Sequence, residues 1–383
     1  MPWDETTRMS QRLRFISDLE SGQYTMTELC ERYGISRKTG YKWAERFVSV
    51  GPGGLEDLPH TAKSFPHQVS LEKAEQIVGL RRRFPSWGPR KLLAWLERHH
   101  PESSWPAAST IGDLLKRHGL VETRRSRRRP LPPRPPQVKA ETPNAVWSID
   151  FKGEFRLGNS HLCYPLTVTD GFSRYLLGCQ GLENPTGQGS RRVLESLFCE
   201  YGLPGAILTD NGSPFASSHA LARLSRLSVW WLRLGIRPVL IQPGHPEQNG
   251  RHERMHRTLK AETTRPPAVD AAGQQERFER FRRIYNEQRP HEALGQIPPA
   301  EVYETSPRRY PSRLEPCEYP GHFEVRSVGD KGEIWWRGEP LFVSHSLQGE
   351  RIGLEEVEDG QWSVYLSSVL IARFDERERR MYG

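Results

Sequence analysis

The sequence predicts a multidomain chain in which an α-helical N-terminal region with two tandem helix-turn-helix units precedes an α/β domain with a mixed sheet and a small all-β barrel. Three observations carry that expectation. At 383 residues the chain exceeds what one compact core usually organises. Its charge is segregated: of a formal +8, residues 1–139 carry +10 and residues 140–383 carry −2. Its hydrophobic periodicity also changes twice, to strand and helix alternation after Asn144 and to short alternating runs after about Arg313.

The first unit, residues 1–50, has Leu13, Ile16 and Leu19 at helical spacing, followed by "YTMTELCERYGISRKTGYKWAERF". Thr27 is a candidate cap for a short helix, Gly34 a candidate left-handed turn residue and Ser36 a candidate cap for the next helix. That last helix carries Arg37, Lys38 and Lys42 as candidate DNA-contacting side chains, while Ile35, Tyr41 and Trp43 are expected to hold it against its neighbours. A basic block attached to a near-neutral body points to a polyanion, and nucleic acid is the first candidate.

The second unit, residues 66–122, contains three further helical stretches, the last with Ser109 or Thr110 as its cap. Two such units can read a longer DNA site than one. Residues 123–143 form a linker in which "RRSRRRPLPPRPPQVK" crowds cations among prolines, so neither helix nor core is possible. Arg127, Arg128 and Arg129 are its candidate phosphate contacts, with a solvated spacer as the alternative.

From residue 144 to 305 the order is strands, then strand and helix in alternation, which favours a mixed sheet covered by helices. Helices are expected near Gly189 to Tyr201, Ser218 to Leu234, after Pro246, and near Arg277 to Gln288. Residues 312–383 supply runs such as "HFEVRSV", "EIWWRG" and "WSVYL", and a small barrel is expected there. The five cysteines have no zinc spacing and read as reduced, mostly buried thiols. No secretory segment or membrane-length apolar run is present, so a soluble, cytoplasmic and nucleoid-associated protein is expected.

Three carboxylates stand at informative places. Asp150 follows "AVWSI" within a strand, Asp210 ends "GAILTD", and Glu253 opens the helix after "PGHPEQNGRHER". If the two strands are neighbours, Asp150 and Asp210 meet side by side and Glu253 can project over them. An all-oxygen anionic pocket suits Mg²⁺ or Mn²⁺ rather than zinc. Two such ions support in-line displacement at phosphorus, the chemistry that cuts and rejoins DNA. Arg257 and Lys260 share the helical stripe of Glu253 and are candidate DNA contacts.

At this point the chain resembles the DDE-type bacterial insertion-sequence transposases, whose integrase-like catalytic core has a ribonuclease-H-like fold. The resemblance rests on "VWSIDFKGEF", "LTVTDGFSRYLLG", "ILTDNGSPF", "PGHPEQNGRHERMHRTLK" and "YNEQRPHEALGQIPPAEVY", in that order. It implies that Asp150, Asp210 and Glu253 are the catalytic metal ligands for two Mg²⁺ or Mn²⁺ ions. It implies also that Arg257 and Lys260 touch element-end DNA, that the C-terminal barrel is SH3-like, and that a homo-oligomer, dimer or tetramer, assembles on double-stranded DNA. The implied activity is cleavage at terminal inverted repeats and joining of 3′-hydroxyl ends to target DNA. The alternatives are a nuclease that only hydrolyses DNA and a domesticated DNA-binding regulator with an inactive core. Two departures stand out: 42 residues separate Asp210 from Glu253, more than is common in the family, and the zinc-binding domain of retroviral integrases is missing.

Asp170 in "TVTDGFSRY" is expected to cap a turn rather than bind metal, and His245 and His252 to serve structure. Trp230 and Trp231 are expected in the core, and Trp335 and Trp336 to divide between barrel core and an exposed face.

Overall fold

The computed structural model describes residues 7–58, 69–121, 138–217, 220–242 and 244–382. The chain divides into two compact units, Met1–Gln68 and Val69–Gly383.

The first unit packs α1 (Arg8–Glu20), α2 (Met26–Arg32) and α3 (Arg37–Val50) around Phe15, Ile16, Leu29, Cys30, Trp43 and Leu55. Thr25, not Thr27, caps α2, because Glu28 lies three residues on and closes a reciprocal capping box. Gly34 takes φ 65° between α2 and α3, and Ser36 caps α3 as expected. Gly40 is required by proximity: a Cβ there would lie 2.6 Å from Cys30 Sγ. Trp43 is buried, but Tyr41 is 59% exposed, since it shares the outward face of α3 with Arg37, Lys38 and Lys42.

The second unit opens with α4 (Leu71–Arg83), α5 (Pro89–His99) and α6 (Ala108–Arg117), which bury Ile77, Trp87, Leu92, Ile111 and Leu115. Ser109 and Thr110 fall inside α6; its cap is Ala107, which offers no side-chain bond.

The α/β region then runs β1 (Val146–Phe151), β2 (Phe155–Arg156), β3 (Leu162–Asp170), β4 (Leu176–Leu182), α7 (Gly187–Tyr201), β5 (Ala206–Thr209), α8 (Arg226–Arg233), β6 (Arg237–Leu240), α9 (Gly250–Thr263) and α10 (Ala271–Arg283). The sheet is mixed. β3 is antiparallel to β1, β2 and β4, whereas β1, β5 and β6 are parallel neighbours. Trp147 and Ile149 point to one face, into a core with Phe198, Trp230 and Trp231. Ser148 and Asp150 therefore point to the other. A core of Met255, Leu259, Phe278 and Phe281, from α9 and α10, also packs on the sheet.

The helix expected over residues 218–234 contracts to α8, preceded by a 3₁₀ turn at Leu221–Arg223. α8 is buried on two sides. Leu227, Trp230 and Trp231 enter the sheet's core, while Val229 and Leu232 enter the core of the C-terminal region. The segment between Asp210 and Glu253 thus supplies a shared wall.

The C-terminal region contains β7 (Glu324–Ser327), β8 (Glu333–Trp336), β9 (Glu339–Phe342), β10 (Arg351–Glu358), β11 (Gln361–Leu366), β12 (Val369–Asp375) and β13 (Arg380–Tyr382). They form an antiparallel sheet of order β13-β12-β11-β10-β7 and a separate β8-β9 hairpin. Among the described residues no strand pairing closes this sheet; Leu224, Val229 and Leu232 from beside and within α8 join its core. Trp336 is buried and Trp335 is 65% exposed. Among the described residues no helix is long and apolar enough to cross a membrane. All five thiols are free, three of them buried.

Candidate active site

β1 and β5 are paired in parallel with Ser148 opposite Leu208. Two residues farther along each chain stand Asp150 and Asp210, so the register sets the two acids side by side beyond the last paired positions. Asp210 is held by its turn: its Oδ1 accepts the Gly212 N–H at 3.2 Å, and Asn211 Nδ2 donates to the Ile241 carbonyl at 2.8 Å. Glu253 lies in the first turn of α9.

The Asp150 side chain is 21% exposed. Burial, then the neighbouring charge of Asp210, push its pKa up to about 7; the Glu253 charge acts in the same direction, and the Phe151 N–H and Lys152 oppose it. Asp150 therefore feels the charges of both other carboxylates. Among the described residues no three His, Cys, Asp or Glu side chains are gathered into a preformed metal cage, so the acids meet as interacting charges. Their donors are oxygen only, which fits a hard divalent cation better than zinc.

A polar network lies under Asp150. Thr167 Oγ1 donates to the Asp150 carbonyl at 3.0 Å and lies 2.6 Å from Nε2 of both His252 and His256. A hydroxyl has one proton and two lone pairs, so with its proton given to the carbonyl both imidazoles must donate from Nε2. His252 Nδ1 then accepts from Thr169 Oγ1 at 3.1 Å. Burial keeps both rings neutral, holding His252 near about 3 and His256 near about 2. The run "HERMH" has the spacing of a zinc helix, yet both Nε2 atoms are spent on Thr167. His256 was absent from the sequence-derived site; its spacing of four from His252 was the available signal. Asn249, just before α9, accepts from Ser148 Oγ at 2.7 Å and ties the helix to the sheet face.

Asp170 uses both oxygens structurally, accepting the Asn144 N–H at 2.8 Å and the Ser173 N–H and hydroxyl at 2.7 Å. Arg257 and Lys260 are exposed on α9, one and two turns from Glu253. Arg37, Lys38 and Lys42 are exposed on α3 of the first unit. Arg127, Arg128 and Arg129 lie outside the described residues.

Family models match the helical N-terminal region, the α/β region and the C-terminal strands. Integrase core domain models match residues 140–246 and 234–299, and the IS481 family transposase C-terminal domain matches residues 323–381. A helix-turn-helix domain matches residues 11–63 and a homeodomain-like domain residues 39–115. The 39.2 kDa protein of insertion element IS476 from Xanthomonas euvesicatoria is 32% identical over 47% of this chain, and the chain spans 50% of that relative. The 31.7 kDa protein of insertion element IS407 from Burkholderia multivorans is 31% identical over 61% of this chain and 80% of its own length. Among solved structures, the HTLV-2 integrase catalytic core domain in complex with magnesium aligns over 43% of this chain and 100% of its own, with 15% identity and TM-score 0.35.

The α/β region is a ribonuclease-H-like integrase core with helix-turn-helix domains before it. The chain belongs to the DDE-type transposases of bacterial insertion sequences, with an integrase core domain.

Proposed function

We propose that the protein binds the terminal inverted repeats of a mobile element, cleaves at the element ends and joins the freed 3′-hydroxyls to target DNA. The observation that carries this reading is the β1–β5 register, which aligns Asp150 with Asp210, with the charge of Glu253 on α9 also reaching Asp150. Asp150, Asp210 and Glu253 would hold two Mg²⁺ or Mn²⁺ ions, which when bound supply activation of the attacking oxygen and stabilisation of the leaving oxygen. The chain's own part is positioning. β1 and β5 orient two carboxylates, Asn249 and Ser148 anchor the helix bearing the third, and Thr167 and the two histidines fill the space behind Asp150 against water.

Residues 1–50 and 66–122 are assigned as the two DNA-reading domains, 123–143 as the basic linker, 144–305 as the catalytic core and 312–383 as an SH3-like accessory domain. Arg257 and Lys260 hold phosphates of the element end, Arg37, Lys38 and Lys42 face the terminal repeat, and Arg127, Arg128 and Arg129 follow the backbone between domains. Two ends must be held together, so a dimer or tetramer on double-stranded DNA is expected.

The test is strand transfer with Mg²⁺ on DNA carrying the element's ends. Asp210→Asn and Glu253→Gln should each abolish cleavage and joining, and full activity in either would remove the triad. Hydrolysis without joined products would mark a nuclease, and binding without cleavage a regulator.

A further inference from the structure

Arg174 occupies an expensive position. It closes the turn between β3 and β4 at φ 65°, a left-handed backbone that glycine or asparagine adopts more cheaply. Its guanidinium is half-buried, and Nη1 donates to the Gly171 carbonyl at 2.8 Å. Arg251, from the first turn of α9, donates to the same carbonyl at 3.3 Å, so one oxygen holds two cations together. Burial and the charges of Arg251 and Arg254 pull the Arg174 pKa down to about 10.

Asp170 is the acid nearest Arg174, and its charge raises the Arg174 pKa against the effect of the two arginines. Among the described residues none of Arg174, Arg251 and Arg254 has a carboxylate within ion-pair distance. Asp170 has committed its oxygens to the turn, and Glu262 pairs with Arg289. A half-buried cation without an ion-pair partner is costly, and a residue in a strained backbone that carries one invites a functional explanation. Arg174 and Arg251 line a cleft whose wall includes Ser148, Asp170, Asn249 and Tyr285. Ser148 is two residues before Asp150 on the same face of the sheet, so the cleft adjoins the proposed catalytic carboxylates.

We propose that Arg174 and Arg251 form a phosphate-binding site for a DNA strand entering or leaving the active site, distinct from the Arg257 and Lys260 stripe. This rests on the transposase reading. The two guanidiniums supply charge-assisted donors, and the Gly171 carbonyl presents them together.

The experiment compares the full chain with Arg174→Gly and Arg251→Gln. One measurement is binding to a labelled DNA duplex across a salt series, and the other is thermal unfolding with and without inorganic phosphate. Glycine relieves the backbone at residue 174 and Arg251 is exposed, so both variants should fold with unchanged or raised Tm. The expected result is duplex binding weakened by about tenfold in each variant, with a salt slope shallower by about one unit. Phosphate should raise the Tm of the unmodified chain more than that of either variant. Unchanged affinity and slope in both variants, with duplex binding intact in the parent, overturn this site and leave the transposase reading standing. No duplex binding by the parent overturns both. Loss of the phosphate effect with duplex binding unchanged overturns the DNA assignment in favour of a small-anion site. A lowered Tm in both variants, with duplex affinity retained, overturns it in favour of a structural role.

Discussion

His256 Nδ1 lies 3.7 Å from Asp150 Oδ2 while its Nε2 contacts Thr167, so one imidazole spans the space between a proposed catalytic carboxylate and the strand beside it. Its proton arrangement follows from Thr167, which must accept two N–H groups if it gives its own proton to the Asp150 carbonyl.

Thr167→Val keeps the shape and removes the acceptor. Both Nε2–H groups are then buried without a partner, each at about 1–3 kcal/mol. Urea unfolding should show a loss on the order of 3 kcal/mol for Thr167→Val and under about 1 kcal/mol for Thr167→Ser, which keeps the hydroxyl. Equal losses would show that the hydroxyl is dispensable.

The pH dependence of the metal-free protein has two opposed parts. His252 and His256 have folded pKa values far below the usual 6.5, so their contribution is complete above that value and is lost as pH falls toward about 3 and about 2. Asp150 is raised from 3.8 to about 7, so its contribution is complete below 3.8 and is lost as pH rises through about 7. Asp150→Asn should therefore stabilise the metal-free chain at about pH 8, by at most on the order of 4 kcal/mol, and by little at about pH 4. Thermal unfolding at the two values reads the difference.

Asp210 contributes the largest of the charge effects that raise Asp150. Asp210→Asn should lower the Asp150 pKa from about 7 without restoring the ordinary value, because burial remains the leading cause. Carboxyl titration by NMR checks this apart from any activity. An unchanged Asp150 titration would mean that the two acids are not electrostatic neighbours.

Gly40→Ala would ordinarily favour a helix. Here the added Cβ meets Cys30 Sγ at 2.6 Å and Met26 Sδ at 2.9 Å, so overpacking should dominate and cost about 1–3 kcal/mol. Denaturant unfolding of the chain, followed through Trp43 in the first unit, measures it.

The three acids were legible because each sits at a position where local pattern and chemistry conflict: a charge within or at the end of an apolar strand, or at the opening of a cationic helix. The network beneath them was not, because it joins Thr167 to His252 and His256 through β3 register and α9 rotation, neither of which local periodicity encodes. Tyr41 was misplaced for a related reason: an aromatic residue in a helix suggests burial, yet its neighbours Arg37, Lys38 and Lys42 mark the outward face. Thr25 could have been found, since Glu28 three residues on completes the capping signature that Thr27 lacks. Alternation identified the C-terminal strands but carried no information on closure, which depends on pairing between distant segments. The unusual feature of α8, apolar residues on nearly every side, was visible in "LSVWWL" and signified two partners rather than one.

That double burial ties the fate of two regions together. Without the C-terminal strands, Val229, Leu232 and the Arg233 guanidinium that pairs with Glu350 would face water. Without α8, the C-terminal core would lose one wall. Gain or loss of either segment alone is thus disfavoured in descent, and a stand-alone catalytic fragment ending before residue 312 needs a redesigned α8 surface to stay in solution.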